Sequence, residues 1–320
     1  MSQNNAGHEE IRVVERQRRA SVLTRPKLPC LAPYHTMNLS AGCPNECVYC
    51  YAQSYNHHPG WGTVAVYTNV LDKLLDEYPR MREKPRLVYF STASEPFLPV
   101  KAVLDLLFQV MTFLLENGTR LLISTKCEVP QQFVELFQAH PTLVEAQIGI
   151  TTIDDQVRQL LEPRAAPVDV RLRNLKSLHD HGVPCAARLD PLVPGLTDDD
   201  LSLNELFEAL ATRGIRRAVA SFLFLRWRIK PPRGLAYGNW TFAEMKKLYT
   251  HKVTDYCGGG TIWLPPTEYR QRRLAEPREL ARGHEVNVHL CGCKNKDITS
   301  DCCHPLPDRN QASARQLSFF

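Results

Sequence analysis

At 320 residues, the chain has room for two domains of about 150 residues each, or for one α/β barrel with attachments. Hydrophobic residues make up 43% of it, enough for a full core, which excludes general disorder. No run of 18 apolar residues occurs, so no membrane span is expected. The polar start MSQNNAGHEEIRVVERQRRA lacks the apolar stretch of a secretory signal, and a soluble cytoplasmic protein is the expectation. The net charge of +5 is unevenly spread: residues 1–35 carry 6 basic and 3 acidic side chains, 226–320 carry 16 and 9, and the middle carries 17 and 22. Basic ends around an acidic middle suit a polyanion such as nucleic acid, although a solvated mixed surface gives the same count.

In chain order, a basic N-terminal arm over 1–35 precedes strict alternation of β-type runs and amphipathic helical stretches over 36–225. The strands are expected at Thr36–Leu39, Arg86–Ser91, Arg120–Thr125, Val144–Ile150, Pro184–Leu189 and Arg217–Phe222. Helical patterns cover 66–78, with Val70, Leu71, Leu74 and Leu75 on one face, then 100–117, 131–139, 168–181 and 201–212. Gly118, Gly182 and Gly214 stand where a glycine just past a helix ends it. Six β/α units imply a parallel sheet with right-handed crossovers. Six are too few to close an eightfold barrel. The expected fold is therefore α/β, an open partial (β/α)6 barrel with its active face at the C-terminal ends of the strands. From 226 the chain changes character, through Arg226–Arg233 and Cys257-Gly-Gly-Gly260 into a Cys-rich region ending near 305. This reads as an appendage, and 306–320 as a flexible tail.

Eleven cysteines in a reduced chain argue for metal or redox chemistry rather than disulfides, and seven of them fall in two clusters. The first is Ala41-Gly-Cys43-Pro-Asn-Glu-Cys47-Val-Tyr49-Cys50-Tyr51, just after the first strand. Three thiolates on one loop can ligate three irons of a 4Fe–4S cluster and leave the fourth iron open. A zinc ion would want four ligands, and only His57 and His58 follow closely. The second cluster, His289-Leu-Cys291-Gly-Cys293 to Cys302-Cys303-His304, offers four thiols and two imidazoles in sixteen positions. An auxiliary iron–sulfur cluster and a structural zinc both fit it, with Cys257 or His304 able to replace one of the adjacent Cys302 and Cys303. Cys30 and Cys185 are read as unligated.

The Cys-x3-Cys-x2-Cys spacing after the first strand of a partial barrel resembles the radical S-adenosylmethionine (SAM) superfamily. More narrowly, Asn38–Ala52, Ser124-Thr-Lys126, Thr151-Thr152, Leu161-Glu-Pro-Arg164 and Pro191-Leu-Val-Pro-Gly195 resemble the spore photoproduct lyase-like family, over residues 21–225. The resemblance implies a cluster on Cys43, Cys47 and Cys50 that binds SAM. Its reductive cleavage, fed by an electron donor such as a flavodoxin or ferredoxin, yields a 5′-deoxyadenosyl radical that takes hydrogen from substrate. It further implies Tyr49 near the adenine, Ser94 and Glu95 at the SAM amino group, Lys126 at its carboxylate, and Thr151 or Thr152 at the ribose. An ordinary loop or capping role is the alternative for Lys126 and the threonines. Arg164 is left unassigned.

The lyase family's paired tyrosines around the last cluster cysteine, part of its hydrogen-atom relay, are matched by Tyr49 and Tyr51. Its hydrogen-donating cysteine is not: Thr92 stands at the expected place, which argues against plain thymine-dimer reversal. Cys127 is a conceivable substitute donor, with inert burial as the simpler reading. The end Gln316–Phe320 resembles the peptide with which repair proteins bind a sliding clamp. Together with the basic flanks it keeps damaged or modified DNA, and hence DNA repair, as the leading substrate expectation. Phosphates would be met by Lys and Arg, and a base inside the barrel would have to be flipped out. Radical modification of a peptide or small metabolite is the alternative enzyme, and a zinc-stabilised nucleic-acid-binding module the alternative without catalysis.

Overall fold

The structure, a computed structural model, describes residues 11–26, 31–226, 229, 231–254, 260–292, 295, 297 and 298. Its centre is a seven-stranded, all-parallel sheet whose strands lie side by side in chain order. They are β1 (His35–Met37), β2 (Leu87–Phe90), β3 (Arg120–Thr125), β4 (Val144–Gly149), β5 (Cys185–Leu192), β6 (Arg217–Phe222) and β7 (Asn287–Leu290). Helices fill the crossovers: α1 (Val70–Arg80), α2 (Lys101–Glu116), α3 (Gln131–Ala139), α4 (Asp155–Leu161), α5 (Val168–Asp180), α6 (Asp200–Ala211), α7 (Phe242–Lys247) and α8 (Thr267–Gly283). The six expected units are all present. A seventh was not expected: α8 and β7 come from the region read as an appendage, and β7 pairs with β6, Asn287 opposite Arg217. The change of character at 226 is therefore an interruption after which the sheet resumes.

Strand alternation separates the two faces of this sheet. One set, including Ile123, Ala146, Ile148, Ala187, Leu189 and Ala220, lies in the main core beneath the helices. Phe133, Leu107 and Leu175 are fully buried there, and each such side chain contributes about 1.5–3 kcal/mol by leaving water. The opposite set is mixed, with buried Leu122, Ala186 and Val219 beside a group of polar side chains. Arg188 donates to Gln147 Oε1 at 2.7 Å and to Asp190 Oδ2 at 2.8 Å, and Gln147 donates to Glu145 Oε1 at 3.2 Å. The concave side of the partial barrel thus carries a polar cluster rather than a continuous second core.

Two additions frame it. The N-terminal arm is partly a strand: Arg12–Arg16 runs parallel to Thr63–Tyr67, which also pairs with Ser40–Ala41. Beyond β6, the described residues between 225 and 264 include short strands and α7, and lay Leu225, Leu235, Met245 and Tyr249 against Val48, Val157 and Leu161. An apolar roof thereby covers the cysteine loop and α4. No helix among the described residues is long and apolar enough to cross a membrane.

Candidate functional site

The first cysteine loop leaves the C-terminal edge of β1 through Gly42. There φ is +80°, and a Cβ would stand 2.3 Å from the Thr63 carbonyl oxygen and 2.6 Å from Pro59 Cγ. Only glycine lets the loop pass so close to a neighbouring backbone. Glu46 also takes a positive φ, 51°. The Cys47 carbonyl accepts from Cys50 N and from Gln53 Nε2, both at 3.0 Å, and Val48 N donates to Leu161 O at 2.9 Å. Arg164 ties the other side, its Nε 3.3 Å from Glu46 Oε2 and its N–H on Asn45 O.

Cys43, Cys47 and Cys50 are free thiols with Cys47 buried. Burial pushes all three thiols up, Cys47 to about 12. Such thiols ionise when a metal supplies the positive charge. Among the described residues no three His, Cys, Asp or Glu side chains converge as a single-ion site requires. A cubane asks instead for one thiolate at each of three irons from one loop, and the donor set fits that demand. A second fitting feature is Ser94, whose Oγ is buried without a hydrogen-bond partner.

Beneath the loop lies a network that the sequence reading did not anticipate. Glu162, 1% exposed, accepts from the Tyr49 hydroxyl and pairs with Lys126 Nζ at 3.1 Å and with Arg171. Burial alone would raise its carboxyl, but Arg171 and Lys126 hold it down at about 2. Lys126 Nζ also donates to Tyr49 Oη at 2.9 Å and to Asp190 O at 3.3 Å. Burial is the largest influence and opposes its charge, yet Glu162 and Cys47 together outweigh it and raise its pKa. Gly149 makes room for this reach: a Cβ there would be 2.8 Å from Lys126 Cγ. Tyr49 and Lys126, assigned to SAM by resemblance, therefore meet first of all each other and Glu162.

Glu95 is held just as firmly. Its carboxylate accepts from Thr125 Oγ1, from Phe97 N at 3.2 Å, from Lys126 N at 3.0 Å and from Asn45 Nδ2 at 3.4 Å. Burial raises its pKa against those bonds. It clamps the ends of β2 and β3 to the cysteine loop. Cys127 donates to Asn45 Oδ1 at 3.4 Å and is buried, with burial and then Glu95 pushing its thiol well up. Thr151 and Thr152 are buried after β4, and Thr152 Oγ1 accepts from Asp154 N at 3.0 Å. Tyr51 donates to the Thr92 carbonyl, so its hydroxyl reaches the position where the lyase family's donor cysteine is missing. Arg226 from the roof stands 5.6 Å from the Tyr51 ring centroid and donates to Ser54 Oγ at 2.9 Å.

Of the second cysteine cluster the structure describes Cys291, which directly follows β7 and is buried, its N–H on Ala220 O. Cys293, Cys302, Cys303, Cys257 and His304 lie outside the described residues, as do Cys30 and Gln316–Phe320. Of the residues missed from sequence, Glu162 lay inside the quoted Leu161–Arg164 stretch without a role. Arg171, in the first turn of α5, carried no signal at all.

Comparison with known proteins agrees with this geometry. The model of the radical SAM superfamily matches residues 37–206. A radical SAM Nα-GlyT isomerase of Pseudomonas phage M6 is 24% identical over 289 residues, which cover 82% of this chain and 57% of the isomerase. A mutant of spore photoproduct lyase superposes with a TM-score of 0.69 at 16% identity, over 87% of this chain and 82% of that one. Another, with bound AdoMet and dinucleoside spore photoproduct, gives 0.65 at 15% identity over 86% and 81%. With its fold shared with spore photoproduct lyase and more than half its length matched, the chain belongs to the radical SAM superfamily.

Proposed function

We propose that this protein holds a 4Fe–4S cluster on Cys43, Cys47 and Cys50 and performs a radical transformation on damaged or modified DNA. The observation that carries the reading is the triple-cysteine loop, strapped by buried Glu162 and Arg171 and half-buried Lys126 to the C-terminal rim of a polar half-barrel. When bound, the cluster and SAM supply a 5′-deoxyadenosyl radical as hydrogen abstractor. The chain's own residues bind and orient. The unpartnered Ser94 hydroxyl offers a hydrogen bond to SAM, the Lys126 ammonium balances carboxylate charge beside Tyr49, and the buried threonines after β4 flank the ribose. Val48 and Leu161 under the apolar roof keep water from the loop.

DNA is supported by two things: the bound dinucleoside in the lyase of like fold and the basic ends of the chain. Thr92 in place of a donor thiol favours an outcome other than dimer reversal, since an O–H bond is too strong to quench a carbon radical as a thiol does. A flavodoxin or ferredoxin fits as electron donor, and the Gln316–Phe320 end fits a sliding clamp.

The test is anaerobic reconstitution with iron and sulfide, reduction, and assay of 5′-deoxyadenosine formation with and without DNA carrying modified thymines. Cleavage of SAM with deuterium transfer from labelled DNA supports the proposal. Zinc-loaded, air-stable protein that ignores SAM would leave the binding module, and SAM cleavage stimulated only by peptide would leave the alternative enzyme.

A further inference from the structure

A few residues after Cys50, residues 55–61 carry three aromatic rings, His57 and Trp61 exposed and Tyr55 half-buried. The Tyr55 and His57 rings stack with centroids 5.5 Å apart and planes at 22°. Trp61 is 52% exposed. A single exposed apolar side chain needs no explanation, but three flat rings within seven residues are a different matter. They are also braced. The Arg226 guanidinium lies 5.7 Å from the Tyr55 centroid, and Tyr55 packs edge-on against Tyr51 at 6.0 Å. Pro59 rests on Gly42, and Gly62 O accepts from Arg12 N at 2.9 Å. The loop is therefore held against both the cysteine loop and the edge strand Arg12–Arg16.

That edge strand supplies charge. Arg12 and Arg16, two apart twice over, share one face of it and are exposed. Arg16 Nη1 lies 3.4 Å from the His57 carbonyl. Neither guanidinium meets a carboxylate among the described residues. Aromatic rings for stacking beside guanidinium groups for phosphates are the two components of a single-strand nucleic-acid surface.

We propose that residues 55–61, with Arg12 and Arg16, form a stacking platform for single-stranded DNA, seating bases next to the nucleotide that enters the barrel. The platform deepens the DNA reading above and rests on it. Its occupant is a strand opened or flipped at the site, because a stacked duplex presents no free base face to Trp61 or His57.

The experiment uses the full, reconstituted chain and a fluorescent oligothymidylate, with binding read by anisotropy at several salt concentrations. Trp61→Ala and His57→Ala should each weaken binding about tenfold. The double variant Arg12→Ala/Arg16→Ala should lower the salt slope by about 1.4, two phosphate contacts at about 0.7 each on a single strand. DNA-independent SAM cleavage and urea unfolding should stay at wild-type values in all three, which separates the platform from any general damage. If the wild type binds the oligonucleotide and the ring variants bind equally well, the platform is wrong while the DNA reading stands. If the wild type binds it no better than polyglutamate of matched charge, both fail together.

Discussion

Replacing Glu162 with Gln tests the charge network on which the cysteine loop rests. The carboxylate is 1% exposed between Lys126 and Arg171, and Arg171 already has one buried nitrogen, Nη2, without a hydrogen bond. The substitution keeps the shape but leaves the buried Arg171 and the half-buried Lys126 without their counter-charge, a change that for a buried pair typically costs about 3–5 kcal/mol. A second route gives a similar size: a carboxyl moved from 4.5 down to about 2 contributes roughly 3 kcal/mol at neutral pH. Because the folded value lies below the unfolded one, this stabilisation is complete above about pH 4.5 and is lost as the pH falls toward 2. Urea unfolding of wild type and variant, each reconstituted under argon, should therefore show the full gap at pH 7 and a narrowing one below about pH 4.5. Removing a stranded cation as well, in Glu162→Gln/Arg171→Met, should be less damaging than the sum of the single changes. A loss below about 1 kcal/mol for Glu162→Gln, or a gap that ignores pH, would refute a buried, mutually dependent network.

Cys47→Ala should abolish both cluster assembly and SAM cleavage, measured as iron per chain and 5′-deoxyadenosine; full cleavage would end the assignment. Gly149→Ala places a methyl 2.8 Å from Lys126 Cγ, so stability should fall by about 1–3 kcal/mol and SAM cleavage should drop with it. Unchanged SAM affinity would mean that Lys126 does not depend on this gap. Glu145 is buried in the barrel, and burial raises its carboxyl to about 7. Its folded value exceeds the unfolded one, so stability present at low pH is lost as the pH rises toward 7. Glu145→Gln should gain up to roughly 3 kcal/mol on wild type at pH 8 and almost nothing at pH 4, and parallel pH profiles would contradict that.

Much of the barrel was legible because its signals are local. β3 and β6 begin and end where the alternation of Leu121 with Ile123 and of Ala218 with Ala220 predicts, and the glycines at 118, 182 and 214 turn with positive φ at the ends of their helices. The face of α1 was read one residue wide of the truth. Val70, Leu74 and Tyr78 are buried while Leu75 is 46% exposed, since an aromatic one turn on replaced the second leucine of the pair. The seventh unit was hidden for a different reason. α8 is polar nearly throughout and carries Pro277, and β7 is only four residues long, so neither shows a period. Tertiary packing decides both: Tyr269 donates to Asp198 Oδ2 at 2.6 Å, and Ala281 and Leu274 enter the main core. The three-cysteine loop could be singled out as a candidate because thiol spacing carries chemistry in itself. Glu162 and Arg171 were not, because an ion pair between a loop and a helix nine residues on has no signature until the fold closes it.

The distribution of charge suggests how substrate recognition and chemistry are divided. Inside the barrel the charges answer one another: Arg188 is satisfied by Gln147 and Asp190, and Glu145 feels Arg120 and Arg217 at its ends of the strands. Walls of this kind suit a polar group better than an anion, because a phosphate there would have to displace Asp190 from Arg188 and leave a buried carboxylate unpaired. At the rim the balance is different, with Arg12 and Arg16 exposed beside stacked rings. If the substrate is DNA as proposed, backbone affinity belongs outside, where salt screens it and strands can exchange, and base discrimination belongs inside, where hydrogen bonds are strongest. On that proposal, changes at Arg12, Arg16 or Trp61 should alter how tightly DNA is held, whereas changes at Gln147 or Arg188 should alter which base is accepted at nearly constant overall affinity.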